Sequence, residues 1–262
     1  MDFAKYHGSG NDFILIDNRT DFFSADRNMI ANLCHRHLGI GADGLILLNS
    51  SEEYDFEMLY YNSDGNLATM CGNGGRCVVA FAKSLGIIQQ QTQFKAADGI
   101  HTAEILSTNR FETMVRLSLN DVSFIHQFGN DWVLNTGSPH LVRFVKYQDL
   151  NNYDVDQEGR RIRYQSLYKD EGTNVNFVAE TSDGIFVRTY ERGVEAETLS
   201  CGTGVTASAI AYSLVKNLYH GPIKVLTRGG DLKVNFEREN EKFIQITLTG
   251  PATFVFHGRY TI

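Results

Sequence analysis

Hydrophobic and polar positions alternate over several short stretches of this chain, the period of half-buried strands. Leu232, Val234 and Phe236 share one face over residues 231–237, and Ile244, Ile246 and Leu248 repeat the pattern after a polar turn around Asn240. Ile185, Val187 and Thr189 follow a Ser-Asp-Gly turn, and Val115, Leu117 and Leu119 close an earlier strand. Asp98-Gly99 predicts a hairpin turn between two further strands. Three stretches carry helical spacing instead. Ser24 is placed to cap a helix bearing Met29, Ile30, Leu33 and Leu38 that stops at Gly39. A second helix runs from Gly72 through Val78, Val79, Phe81 and Leu85 to Gly86, and a third from Gly202 through Val205, Ala209, Ile210, Leu214 and Leu218. Strands dominate, and no β-α alternation suggests a doubly wound parallel sheet, so the predicted class is α/β of the α+β type.

Two of the helices begin in the same way. Cys71 opens a C-G-N-G and Cys201 a C-G-T-G, at an offset of 130 residues, and each tetrapeptide leads into an apolar helix. Each is also preceded by a predicted strand, Phe56–Asn62 before the first and 186–191 before the second, ending in the polar residues Asn62 and Glu191. Strand, cysteine and helix recurring in one order point to an internal duplication. Two domains are therefore expected: residues 1–119, closed by a C-terminal strand over 252–262, and residues 120–251.

Composition narrows the class. The 262 residues suffice for two domains, and 42% hydrophobic with 21% charged residues is ordinary for a globular protein. A net charge of −7 argues against a nucleic-acid partner. The first residues include Asp2 and Lys5 without a long apolar run, so no signal peptide is expected, and no apolar stretch is long enough to span a bilayer. Four cysteines in a chain of this length do not make a disulfide framework, which suits the cytoplasm.

The candidate chemistry follows from where the cysteines stand. A thiol at a helix N-terminus is acidified by the free amide N–H groups and the helix dipole. The N–H groups of Gly72, Asn73, Gly202 and Thr203 can also hold a substrate carboxylate and take up charge that moves onto it when an α-proton leaves. Two such devices supply a base and an acid, as a cofactor-independent racemase or epimerase needs. Cys77 points about 120° away from Cys71 around the helix and has Ala207 as its counterpart, so it and Cys34 read as core cysteines. The cysteine spacing suits no zinc site, Gly72–Gly75 lacks the Lys-Ser or Lys-Thr of a phosphate loop, and Gly8-Ser9-Gly10 lacks a dinucleotide fingerprint, so no metal or cofactor is expected.

Eight motifs in register carry a family resemblance. They are His7-Gly8-Ser9-Gly10-Asn11-Asp12-Phe13, Gly39-Ile40-Gly41-Ala42-Asp43-Gly44, Asn62-Ser63-Asp64-Gly65, Cys71-Gly72-Asn73-Gly74-Gly75-Arg76-Cys77, Gly137-Ser138-Pro139-His140, Gly172-Thr173-Asn174-Val175, Tyr190-Glu191-Arg192-Gly193 and Cys201-Gly202-Thr203-Gly204, with Gly250-Pro251-Ala252 fitting the closing strand. Together they resemble the diaminopimelate epimerase family over nearly the whole chain. The resemblance implies a pyridoxal-independent enzyme interconverting L,L- and meso-diaminopimelate for lysine and peptidoglycan-precursor synthesis. It implies two pseudo-symmetric domains, each of mostly antiparallel strands wrapped round a central helix, with the active site in the interdomain cleft, and a homodimer. Cys71 and Cys201 would be the acid/base pair, Cys201 accepting and Cys71 donating in the L,L-to-meso direction, with His140 and Glu191 tuning the thiols and the reacting ammonium. Asn11, Gly44, Asn62, Gly72, Asn73, Ser138, Asn174, Glu191, Arg192, Gly202 and Thr203 would bind substrate, Arg192 and the asparagines gripping the distal amino-acid end.

Two positions depart from the family pattern: many relatives carry Asn where this chain has Ser138, and some carry Gln where it has Gly44. Serine is shorter and lacks an amide's paired donor and acceptor, which bears on substrate selectivity. A proline racemase-like enzyme would share the paired cysteines without needing Arg192, and turnover of diaminopimelate against proline separates the two readings. A non-catalytic homologue or thiol-redox binding protein would keep its function in a Cys71→Ala variant.

Overall fold

The computed structural model describes residues 1–24, 26–168 and 171–261. The chain divides into two compact units, Met1–Leu117 with Gly250–Ile262, and Ser118–Thr249; residue 262, in the strand expected to close the first, lies outside the described residues.

The first unit contains β1 (Asp2–Gly8), β2 (Asn11–Asp17), α1 (Arg27–Cys34), β3 (Gly44–Asn49), β4 (Phe56–Asn62), α2 (Gly72–Ser84), β5 (Gln91–Ala96), β6 (Gly99–Thr108) and β7 (Glu112–Ser118). The second contains β8 (Ile125–Phe128), β9 (Asp131–Asn135), β10 (Pro139–Phe144), α3 (Tyr147–Leu150), α4 (Val155–Arg163), β11 (Asn174–Glu180), β12 (Gly184–Glu191), β13 (Ala196–Thr198), α5 (Gly202–Lys216), β14 (Ile223–Thr227) and β15 (Gly230–Glu239). The long β16 (Lys242–Arg259) gives its first part to the second unit and the rest to the first.

Within the first unit, β1 to β7 pair in chain order, β7 pairs with β16, and β16 pairs back with β1, so the strands close on themselves. In the second, the order is β8-β9-β10-β11-β12-β14-β15-β16, and an isolated Val122–Phe243 bridge draws the segment before β8 onto β16. Most pairs are antiparallel. Among the described residues four are parallel: β2–β3, β4–β5, β10–β11 and β12–β14. A parallel neighbour requires a crossover, and every one of these crossovers carries a helix: α1, α2, the α3–α4 pair and α5. The β-α-β unit absent from the hydrophobic pattern is therefore present twice in each unit, in matching places, within a mostly antiparallel arrangement.

Each strand set encloses its Cys-Gly helix. All residues of α2 from Gly72 to Ala82 are buried, as are ten residues of α5. A helix enclosed on all sides is mostly apolar or small, and any polar group it buries needs a hydrogen-bond partner. α5 meets this with Ala207, Ala209 and Ala211, and its buried hydroxyls bond back to their own helix: Thr206 donates to Gly202 O, Ser208 to Gly204 O and Ser213 to Ile210 O. Val205 and Ile210 pack with Val225, Leu232, Phe236 and Phe243, each burial contributing about 1.5–3 kcal/mol.

Local deviations from the sequence pattern have local causes. α1 is capped by Asp26, whose carboxylate accepts from Met29 N at 2.9 Å, not by Ser24. It ends at Cys34, because His35 Nδ1 then accepts from the His37 and Leu38 amides, and Leu38 is left 80% exposed. The hairpin near Asp98 has Ala96 opposite Gly99, so Ala97 and Asp98 form the turn and Gly99 begins β6. In β16 the strict alternation fails at a bulge around Gln245, which has φ 52°: Asn235 faces Thr247 while Glu237 faces Ile244. The extra residue puts Phe243 and Ile246 on the buried side and turns Ile244 partly outward. No helix among the described residues is long and apolar enough to cross a membrane.

Candidate active site

In the first unit, Cys71 is the N-cap of α2. Its extended backbone (φ −109°, ψ 121°) lets the sulfur turn back over the first turn and accept from Gly74 N at 3.5 Å. The thiol itself donates to Asn11 Oδ1 at 3.7 Å, and Asn73 Nδ2 donates to the same oxygen at 3.4 Å. Asn11 is held in this orientation from its other end, where Nδ2 donates to Asp43 at 2.9 Å. Asp43 in turn meets Arg36 at 2.6 Å, and Arg36 and Lys5 both bind Asp12. Burial opposes ionisation of Asp12, but the hydrogen bonds from Arg36 and Lys5 outweigh it and hold the carboxyl well below the usual range.

Beneath Cys71 lies Arg76, with no exposed surface. Its guanidinium donates to Gly72 O, Asn73 Oδ1, Ser9 Oγ and Pro251 O, at 3.0–3.4 Å. Among the described residues no carboxylate forms an ion pair with it. Desolvation pulls its pKa down to about 10, while the nearby Cys77 and Cys71 sulfurs act in the opposite direction. Close packing also needs Gly8, where a Cβ would come within 2.8 Å of the Asn73 carbonyl.

In the second unit, Cys201 is the N-cap of α5 and is buried at 6% exposure, whereas Cys71 is half-buried. Its sulfur meets Thr203 Oγ1 at 3.4 Å. Period-2 geometry collects the polar neighbours. His140 on β10, Asn174 and Asn176 on β11 and Thr189 on β12 share a face, with His140 paired to Asn174 and Asn176 to Thr189. Asn174 Oδ1 accepts from Arg192 N at 2.9 Å, and its Nδ2 donates to Pro139 O and Ser138 Oγ. Ser138 Oγ lies 3.0 Å from His140 Nε2 and 3.3 Å from Thr203 Oγ1. Gly204 is required here, since a Cβ would sit 2.3 Å from Asn176 Oδ1.

The diaminopimelate epimerase family model matches residues 3–119 and 132–255. The chain is 51% identical to a diaminopimelate epimerase of Flavobacterium psychrophilum over 258 residues, covering 98% of each chain. This chain belongs to the diaminopimelate epimerase family. It is also 41% identical to the diaminopimelate epimerase of Aquifex aeolicus, over 99% of this chain and 97% of that one. Among solved structures, a phenazine biosynthesis protein of the PhzF family from Bacillus anthracis superposes with a TM-score of 0.80 at 15% identity, covering 100% of this chain and 99% of that one. A probable proline racemase from Agrobacterium radiobacter gives 0.71 at 14% identity, over 100% and 93%. These two likenesses establish a fold shared beyond the epimerases.

In this epimerase the predicted residues fall into distinct groups. Asn11, Cys71, Gly72 and Asn73 are assembled in the first unit, and Ser138, His140, Asn174, Cys201, Gly202 and Thr203 in the second. Asn62 ends β4 with an exposed side chain and pairs across the strands with Gly44. Gly44 offers no side chain, and a Cβ there would meet the Tyr61 carbonyl at 2.5 Å, so the close packing of β3 on β4 requires glycine at this position. Glu191 accepts from Thr198 Oγ1 at 2.8 Å, and the exposed Arg192 guanidinium donates to Glu171 O. Cys34 and Cys77 are buried, and desolvation pushes the Cys34 thiol up to about 12 and Cys77 higher still.

Sequence reasoning missed Asp43, Arg36, Arg76, Asn176 and Thr189 as supports of the site. Asn176 had a signal: it lies two residues after Asn174 in a strand, hence on the same face.

His140 is fully buried, and burial, aided by the Arg192 charge, lowers its pKa to about 3. It is therefore a neutral imidazole at working pH. The unfolded chain binds a proton below about 6.5 that the folded protein refuses, so stability must fall as pH drops from about 6.5 toward 3, by up to about 1.4 kcal/mol per unit. Urea unfolding of His140→Gln should lose that component. A wild-type-minus-variant difference that stays constant across this range would show that His140 is not the group responsible.

Proposed function

We propose that this enzyme interconverts L,L- and meso-diaminopimelate without a cofactor, Cys201 and Cys71 serving as the acid/base pair. The observation that carries the reading is that each unit presents one cysteine as the N-cap of an enclosed helix, at the end where the first-turn N–H groups point. A thiolate on one face of the α-carbon takes its proton and becomes a thiol. The electron pair left on carbon spreads into the carboxylate, where the N–H groups of Gly72, Asn73, Gly202 and Thr203 stabilise it. A thiol on the opposite face gives its proton to carbon and is left as the thiolate, so the two sulfurs exchange protonation states at each turnover.

Asn11, Asn62, Asn174 and Arg192 supply polar groups for the distal amino-acid end, where an unfilled buried hydrogen bond penalises substrates lacking it, and His140 and Glu191 tune the thiols and the reacting ammonium. Free thiols suit a reducing cytoplasm. The family resemblance favours a homodimer, which sedimentation checks.

A substrate panel assayed by chiral separation, without pyridoxal phosphate and with chelator present, tests the reading. Turnover of L,L-diaminopimelate and not proline is expected, with solvent deuterium entering the α-carbon as it inverts. Inversion that keeps the original hydrogen would point to one shared base instead of two thiols.

A further inference from the structure

The polar contacts behind Cys201 have a direction that the protein itself imposes. Thr189 Oγ1 donates to Asn176 Oδ1 at 2.9 Å, and Asn176 Nδ2 donates to Leu141 O at 2.9 Å, so the amide has one orientation. The same Nδ2 faces His140 Nδ1 at 3.1 Å, making that nitrogen an acceptor and placing the imidazole proton on Nε2. Nε2 then donates to Ser138 Oγ at 3.0 Å. Asn174 Nδ2 is a second donor to this oxygen at 3.3 Å, and its own orientation is set by the Arg192 amide on Oδ1. With two donors on its oxygen, Ser138 has its proton left for Thr203 Oγ1 at 3.3 Å, and Thr203 has its own for the Cys201 sulfur at 3.4 Å.

We propose that Ser138 is a positioning residue: it links His140 to Thr203 in a one-way hydrogen-bond chain that ends as a donor on Cys201 and favours the thiolate there. The proposal rests on Cys201 being one of the acid/base pair. The chain polarises cooperatively because each acceptor oxygen is also the next donor. Of the charged or titratable groups at this hydrogen-bond chain, His140 is kept neutral by burial and by the Arg192 charge, and Glu191, the residue before the Arg192 amide that orients Asn174, is bonded by Thr198. Cys71 is set differently: its sulfur accepts from Gly74 N and donates to Asn11 Oδ1.

The test is the pH dependence of iodoacetamide alkylation at each cysteine, read peptide by peptide by mass spectrometry on the whole enzyme without substrate. Ser138→Ala should move the Cys201 profile up by about one pH unit, about tenfold slower labelling near neutrality, and leave Cys71 unchanged. Ser138→Thr, which keeps the hydroxyl, should restore the Cys201 profile. An unmoved Cys201 profile in Ser138→Ala, an equal shift at both cysteines, or failure of threonine to rescue would overturn the proposal. The assay needs no turnover, so a wild-type enzyme inactive on diaminopimelate would defeat the proposed function separately, leaving the alkylation result to be read for itself.

Discussion

Cys201→Ser is expected to lower diaminopimelate epimerisation on the order of a thousandfold, within the range for loss of a general acid/base. The substitution is nearly isosteric, and Cys201 contributes little beyond its sulfur, so the fold should persist. A serine hydroxyl is far too weak an acid to be populated as the alkoxide, even with the α5 N–H groups beside it. Cys71→Ser should cost as much, since inversion needs one group to take the proton and another to return it. The single-thiol enzymes retain one half of the reaction. Cys201→Ser should still exchange the α-hydrogen of meso-diaminopimelate with deuterated water through Cys71, without inverting the centre. Chiral separation measures inversion and mass spectrometry measures exchange. Near-full inversion in either variant would remove that cysteine from the mechanism.

The largest effect on stability is expected at Arg76. It is a full positive charge with no exposed surface, satisfied by four neutral acceptors rather than by a carboxylate. Burying such a charge is costly, and the hydrogen bonds it donates offset that cost at about 1.5–3 kcal/mol each. Arg76→Met removes the charge but also the hydrogen bonds that Asn73 Oδ1, Ser9 Oγ and the Pro251 carbonyl accept from it. The expected net loss is about 3 kcal/mol, or roughly 10 °C in melting temperature. Arg76→Lys should fall between, because one ammonium cannot reach all four acceptors. The same change reaches the chemistry: Arg76 orients the Asn73 side chain through Oδ1 and places a positive charge near Cys71. Thiolate at Cys71 should therefore become less accessible in Arg76→Met, seen as slower alkylation of that cysteine. A variant that melts with the wild type would show that Arg76 is a passive filler of its site.

Much of this protein is legible along the chain because the signals are local. A cysteine followed by glycine and an apolar run predicts a thiol at a helix start, and α2 and α5 begin one residue after Cys71 and Cys201. Alternation of apolar residues marks β15, where Leu232, Val234 and Phe236 are all buried. Eight short motifs in register identify the family. Helix caps, strand period and turn residues act over a few positions, so one sequence suffices to read them.

What the tertiary structure decided involves residues that meet only through strand register. The bulge at Gln245 exchanged the buried side of β16 between Ile244 and Phe243, because one extra residue against β15 reverses the alternation. At position 44 only glycine fits, since a Cβ there would meet the Tyr61 carbonyl on the neighbouring strand. The two cysteine motifs, nearly identical as text, differ in what faces each sulfur: an acceptor from β2 at Cys71, and a hydroxyl within α5 backed by β10 and β11 at Cys201. Local sequence determined where the sulfurs stand, and long-range pairing determined their surroundings, because a hydrogen bond depends on which atom comes within about 3 Å, not on which residue lies next in the chain.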